Sequence, residues 1–238
     1  RSPNNILGTE YQKAIEFFGC RAQILPIRRT GASHGSTDLG EKFSSAAAIR
    51  AAARGGRLHE AKPPVPPYVF DDMLRFTDGS LFQEIAHSAA LTADAKTLAE
   101  IVDCTEGLEN RIKTYAREAE DFNDLIAKVT TKRYISSRIR RILTAAVLGI
   151  PKTLVHGALQ SPLYLKPLAL RKSTADTLLR ELGRAEFPLL ARQNDLNTLG
   201  ETARAVYAKD LLATDIYRFC SKMPIREQML PIIADRIQ

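Results

Sequence analysis

From Phe70 to Ile150 the sequence keeps a helical period almost without a break, so any fold it adopts must be built around a helical body. "SLFQEIAHSAAL", "DAKTLAEIVDCTEGLENRIKTYAREA" and "EDFNDLIAKVTT", the last with Asp121 as its cap, read as successive helices. "KRYISSRIRRILTAAVLGI" follows and is stopped by Pro151. In front of the tract, the proline-dense "AKPPVPPYVF" is incompatible with regular helix and reads as a rigid connector between domains.

The flanks have a different character. Pro3 fixes the backbone, Asn4 or Asn5 can cap a helix carrying Ile6, Leu7, Tyr11, Ile15 and Phe18, and Gly19 ends it. A short buried strand is predicted over Ala22 to Ile27, then an irregular loop, "TGASHGSTDLGEK", and a helix from Ser44 or Ser45 to Arg54. Helix, strand, polar loop and helix make a fragment of an α/β layer. Past the helical tract, "LYLKPLAL" and "FPLLAR" read as two parallel strands joined by the helical "STADTLLRELGR", and a last helix covers Glu201 to Ser221. The division expected is therefore 1–62, 63–159 and 160–238: an α/β fragment, a mostly α-helical domain and a small α/β unit.

Composition narrows the class. The chain has 238 residues, a globular balance of apolar and charged residues, and a formal charge of +7. That excess favours a polyanion such as nucleic acid. No apolar run approaches the ~20 residues of a membrane span. Cys20, Cys104 and Cys220 form no CxxC pair, which suits free thiols in a reducing cytoplasm, and the scattered histidines show no metal-ligand spacing. The first residue is Arg1 rather than methionine, so a segment is expected to be missing in front of it.

Three clusters could carry chemistry. On a helix beginning after Thr131, Ile135, Ile139, Ile142 and Ala146 share one side, Arg133 and Arg140 lie opposite, and Arg138 and Arg141 flank the stripe. Guanidinium forks suit phosphate and Tyr134 could stack on a base, although a solvated amphipathic face gives the same pattern and one acidic partner would neutralise it. Ser44, Ser45 and Arg50 could hold a triphosphate at a helix start, or simply make an ordinary capped helix. The paired asparagines pose the same choice between cap and anion seat, and His34 in the loop could bind a ligand or donate a proton. Asp210 and Asp215 stand about 140° apart on a helix, which argues against an acid–base pair. No Walker-type, GxSxG or HExxH motif occurs.

In their order, "SPNNILGTEYQKAI", "IRRTGASHG", "FSSAAAIRAA", "EGLENRI", "TKRYISSRIRRILTAAVLGI" and "LLATDIYRF" resemble the bacterial tRNA(Met) cytidine acetate ligases of the nucleotidyltransferase superfamily. The resemblance implies a Rossmann-like nucleotidyltransferase fragment followed by a helical tRNA-binding domain. It implies activation of acetate by ATP as acetyl-adenylate, with Mg2+ on the triphosphate, and transfer to the wobble cytidine of elongator tRNA(Met) as N4-acetylcytidine. It also implies Asn4, Asn5, Arg29, Ser44, Ser45 and Arg50 on the ATP side, and Lys132, Arg133, Arg138, Arg140 and Arg141 on the tRNA side. It names no catalytic residue and no protein metal ligand here. The family's HxGH motif does not occur in these residues, and "GASHG" lacks the aromatic more often found before the histidine, which leaves a role for His34 unsupported. The expectation is a C-terminal part of the enzyme, unable by itself to form acetyl-adenylate and without a membrane anchor. The competing readings are a non-catalytic tRNA-binding relative and a different adenylyltransferase acting on a small molecule.

Overall fold

The computed structural model describes residues 3–28, 30–31, 36–40, 42–62, 65–73, 77, 79–224 and 232–235. The chain parts into two compact units, Arg1–Phe76 and Thr77–Gln238.

The first unit opens with α1 (Pro3–Phe17). Proline is well placed in a first turn because its missing N–H has no intrahelical partner there in any case. The helix therefore starts ahead of the asparagines, and Asn4 and Asn5 lie inside its first turn rather than at the cap. Gly19, at φ +59°, ends the helix in the left-handed region, with the Cys20 amide donating to the Ile15 carbonyl at 2.9 Å. The buried strand expected over Ala22–Ile27 is not formed: Leu25 and Ile27 are 83% and 86% exposed. A strand needs a neighbour for its amides and carbonyls, and among the described residues of this unit none is supplied. In α2 (Ala46–Arg54), Ser45 is the cap, as the sequence predicts, and Ala48 and Ala52 are buried beside Ala61 of the turn that follows. The proline-dense stretch is less of a connector than expected, because α3 (Pro67–Met73) begins on its last proline.

The second unit is the helical body: α4 (Ser80–Thr92), α5 (Ala95–Glu100), α6 (Leu108–Glu118), α7 (Phe122–Val129), α8 (Ser136–Leu148) and α9 (Lys152–Gln160). Each is amphipathic at its own register. Leu108, Ile112 and Ala116 of α6, Phe122, Leu125, Ile126 and Val129 of α7, and Ile139, Ile142 and Leu143 of α8 meet in one core with Ala86 and Ala90 of α4. Asp94 and Asp121 cap α5 and α7, accepting from the Thr97 and Asp124 amides at 2.6 and 2.8 Å. Arg111 ties α6 to the end of α7, donating from Nε to the Val129 carbonyl at 2.9 Å and from Nη2 to the Lys128 carbonyl at 2.6 Å. Gly149, at φ +60°, closes α8 two residues before Pro151.

Beyond α9 the two segments expected to pair do meet in parallel, though at a single bridge. The Leu165 amide donates to the Pro188 carbonyl and the Leu190 amide to the Leu165 carbonyl, both at 2.8 Å. Between them lie β1 (Ala169–Arg171) and α10 (Ala175–Leu182). The strand partner of β1 is β2 (Ile232–Ala234), parallel, with Leu170 opposite Ile233. Helix α11 (Glu201–Ser221) then packs on α9, α4 and α8. That return keeps α11 in one unit with the helical tract. Among the described residues no helix is long and apolar enough to cross a membrane.

Cys104 is fully buried in the helical core, and burial pushes its thiol up to about 11. In the native protein at pH 8, iodoacetamide is expected to label the exposed Cys20 and to spare Cys104 until denaturant is added, which peptide mass mapping reads directly. Equal labelling of both under native conditions would contradict this packing.

Candidate functional site

The arginines near α8 form a single cluster, but not the one a helical wheel draws. Thr131 Oγ1 accepts from the Arg133 and Tyr134 amides at 3.2 and 3.0 Å, and the Thr131 amide donates to the Tyr134 carbonyl at 2.9 Å. This hydroxyl-capped turn holds Lys132, Arg133 and Tyr134 ahead of the helix. Arg133 is therefore not on the face of Arg140. Ile135, expected in the apolar stripe, precedes α8 and is 57% exposed, whereas Ile139 and Ile142 are buried.

The partners of these arginines come from the loop between α5 and α6. Glu106 takes Arg133 in a fork, Nε to Oε2 and Nη2 to Oε1, each at 3.2 Å. Arg138 reaches the Asp103 carbonyl through Nε at 3.2 Å and Nη2 at 2.9 Å, and Nη2 also donates to Thr105 Oγ1 at 2.6 Å. Arg141 Nε donates to Asp103 Oδ2 at 3.2 Å. The Tyr134 hydroxyl donates to the Glu106 carbonyl at 2.8 Å, and the Arg133 and Arg138 guanidinium carbons lie 5.6 and 5.7 Å from its ring centre. That ring is engaged by protein groups rather than presented for base stacking. Arg140 stands apart, 5.2 Å from the Phe122 ring centre and 3.3 Å from Asn123 Oδ1. The hydrogen bond and charge of Arg133 hold the Glu106 carboxyl below the usual carboxylate range, so it is ionised at neutral pH.

Exposure separates the roles. The side chains of Arg133 and Arg141 are 66% and 61% exposed, while that of Arg138 is 22% exposed. Arg138 is the anchored hub; Arg133, Arg140 and Arg141, with exposed Lys132, face solvent. The loop residues are what sequence reasoning missed. Asp103 and Glu106 lie 27 to 38 positions before the arginines they hold, beyond the reach of any local pattern. The one trace they leave is the "EGLENRI" block, whose Gly107 adopts φ +80° at the start of α6.

Of the residues expected to face ATP, Arg29 and the side chain of Asn4 lie outside the described residues, as does His34 of the loop. Asn5 is exposed on α1 and lines a concavity of about 450 Å3 with Ile6, Thr9, Glu10 and Lys13. Ser44, Ser45 and Arg50 do not line it. Ser44 Oγ is paired with Gly40, accepting from its amide at 2.9 Å. Ser45 is buried, and its hydroxyl accepts from the Ala48 amide at 3.0 Å while donating to the Ser36 carbonyl, so it serves the start of α2. Arg50 is exposed on α2. Asp210 accepts from the Tyr164 hydroxyl and Asp215 pairs with Arg218 at 3.5 Å, which separates the two aspartates as their spacing predicts. Among the described residues, no group of three acidic, histidine or cysteine side chains could hold a metal ion.

Known proteins align along almost all of this chain. A protein of Caldanaerobacter subterraneus named tRNA(Met) cytidine acetate ligase is 31% identical over 230 residues, covering 93% of this chain and 56% of its own length. A protein of the same name from Alkaliphilus metalliredigens is 28% identical over 232 residues, with 93% and 55% covered. The chain thus spans a little over half the length of these relatives. Among solved structures, Thermotoga maritima TmcAL in its apo form superposes with a TM-score of 0.79 at 24% identity, over 97% of this chain and 60% of that one. The same protein bound with alpha-thio ATP gives 0.78 at 23% identity. At that identity the likeness shows the fold. The sequence model described as HIGH Nucleotidyl Transferase matches residues 1–230, and the chain belongs to that family.

Proposed function

We propose that this chain is the C-terminal part of an ATP-dependent ligase that forms N4-acetylcytidine at the wobble position of elongator tRNA(Met). Acetate is activated as acetyl-adenylate with loss of pyrophosphate, and the acetyl group passes to the exocyclic amine of the cytidine. The observation that carries this reading is the alignment of proteins named tRNA(Met) cytidine acetate ligase over 93% of the chain. The cluster of Lys132, Arg133, Arg138, Arg140 and Arg141 agrees with it, because guanidinium forks match phosphate and several face solvent together.

Residues 1–62 belong, in this reading, to a Rossmann-like nucleotidyltransferase domain whose remainder covers the exposed Leu25 and Ile27. Asn4, Asn5, Arg29, Ser44 and Arg50 face ATP, and Ser45 contributes by fixing the start of α2. Mg2+ arrives on the triphosphate, where phosphate oxygens and water supply most of its ligands.

The test is a fluorescence-anisotropy titration of labelled elongator tRNA(Met) with the 238-residue chain. Affinity is expected to fall linearly in log–log form between about 50 and 200 mM salt, with a slope equivalent to roughly three or four neutralised phosphates. No binding at the lowest salt would overturn the assignment.

A further inference from the structure

Two of the exposed arginines in the cluster are already engaged by carboxylates, whereas Arg140 meets only Asn123 and the Phe122 ring. Glu106 holds the Nε–Nη2 edge of Arg133, and Asp103 accepts from Nε of Arg141. Both acids sit on one short loop, and both are at positive φ, 64° and 65°, a backbone region that side chains other than glycine and asparagine rarely enter. A loop held in that conformation brings two carboxylates against cations more than two dozen residues away. The Arg138 hub pins the loop from beneath through Asp103 and Thr105.

Exposed ion pairs of this kind are weak, because water and salt compete for both partners. Each is easily exchanged for a phosphate, yet while it lasts it removes one positive charge from the surface. A ligand that presents a single phosphate gains little by displacing a carboxylate already in place. One that presents phosphates at the spacing of several forks gains at all of them at once.

We propose that Asp103 and Glu106 are specificity-determining residues: their carboxylates occupy the Arg141 and Arg133 forks and make the surface select a folded RNA over an unstructured strand. This deepens the tRNA-binding reading above and rests on it. The acids lower the charge available to any flexible polyanion. Unstructured RNA binds by charge alone and so bears the full penalty, whereas a folded RNA recovers it through matched phosphate positions.

The experiment measures two affinities, for elongator tRNA(Met) and for a uridine homopolymer, with the wild-type chain and with the double variant Asp103→Asn, Glu106→Gln. Asparagine tolerates positive φ and glutamine keeps the side-chain length, so both substitutions preserve the loop. Melting followed by circular dichroism checks that the fold is retained. The homopolymer is expected to bind about threefold to tenfold more tightly to the double variant, with a salt slope steeper by about one to two phosphates, while tRNA gains less. The preference for tRNA therefore falls at least about threefold. An unchanged or increased preference overturns the inference. If the separate variant Arg133→Glu, Arg140→Glu still weakens tRNA binding in that case, the tRNA reading stands without it. Failure of the wild-type chain to bind either RNA overturns both.

Discussion

Replacing Ile142 with alanine is expected to destabilise the helical unit by about 3 kcal/mol, with the melting temperature falling by roughly 6–12 °C. Ile142 is fully buried in the core shared by α4, α6, α7 and α8, so truncation removes apolar contacts and leaves a cavity that helices meeting from several directions cannot easily close. The control is Ile135→Ala. A helical wheel puts both isoleucines on one stripe, yet Ile135 is 57% exposed and its loss is expected to cost less than about 0.5 kcal/mol. Urea denaturation of the two variants decides the matter. Comparable losses at both positions would mean that α8 starts earlier and buries a different face.

The second large effect concerns binding. Reversing Arg133 and Arg140 to glutamate changes the local charge by four units on a surface that carries five cations and two carboxylates nearby. Affinity for tRNA is expected to drop by about tenfold to a hundredfold near 100 mM salt, and the salt slope to lose about two phosphates. Neither residue belongs to the core, so the melting temperature should move by only about 1–2 °C. The two positions do not contribute alike. Arg133→Glu also places a second carboxylate against Glu106, whereas Arg140→Glu only exchanges a contact with Phe122 and Asn123. Arg133 should therefore be the costlier single reversal. Unchanged affinity in the double variant would remove the arginine cluster from the proposed RNA interface.

Much of the fold is legible along the sequence where short-range chemistry decides it. Asp121 caps α7, Ser45 caps α2, and the last helix covers Glu201–Ser221 as its periodicity predicts. Both caps depend on a side chain and an amide only three residues apart. The departures arise where a local pattern competes with a longer one. Residues 22–27 have strand composition, but strand formation needs a partner that the described residues do not provide. The Thr131 hydroxyl diverts Lys132 and Arg133 out of a helix that their own propensities favour. The arginine cluster was visible as charge, whereas its acidic half was not, since Asp103 and Glu106 reach it only through tertiary packing. The proposed ATP-facing set rests on resemblance more than on spacing, because Ser45 is engaged by its own helix and Asn5 lines a concavity that excludes Ser44 and Arg50.

The left-handed backbone at Asp103 and Glu106 bears on how this chain responds to selection in the laboratory. Glycine at either position, or asparagine in place of the glutamate, would relax the main chain, so a screen that rewards heat resistance alone will drift toward exactly those residues. Each such gain strips an acid from the loop. Libraries sorted for thermal tolerance should therefore be held fixed at these two codons if the proposed RNA preference is to survive the sorting.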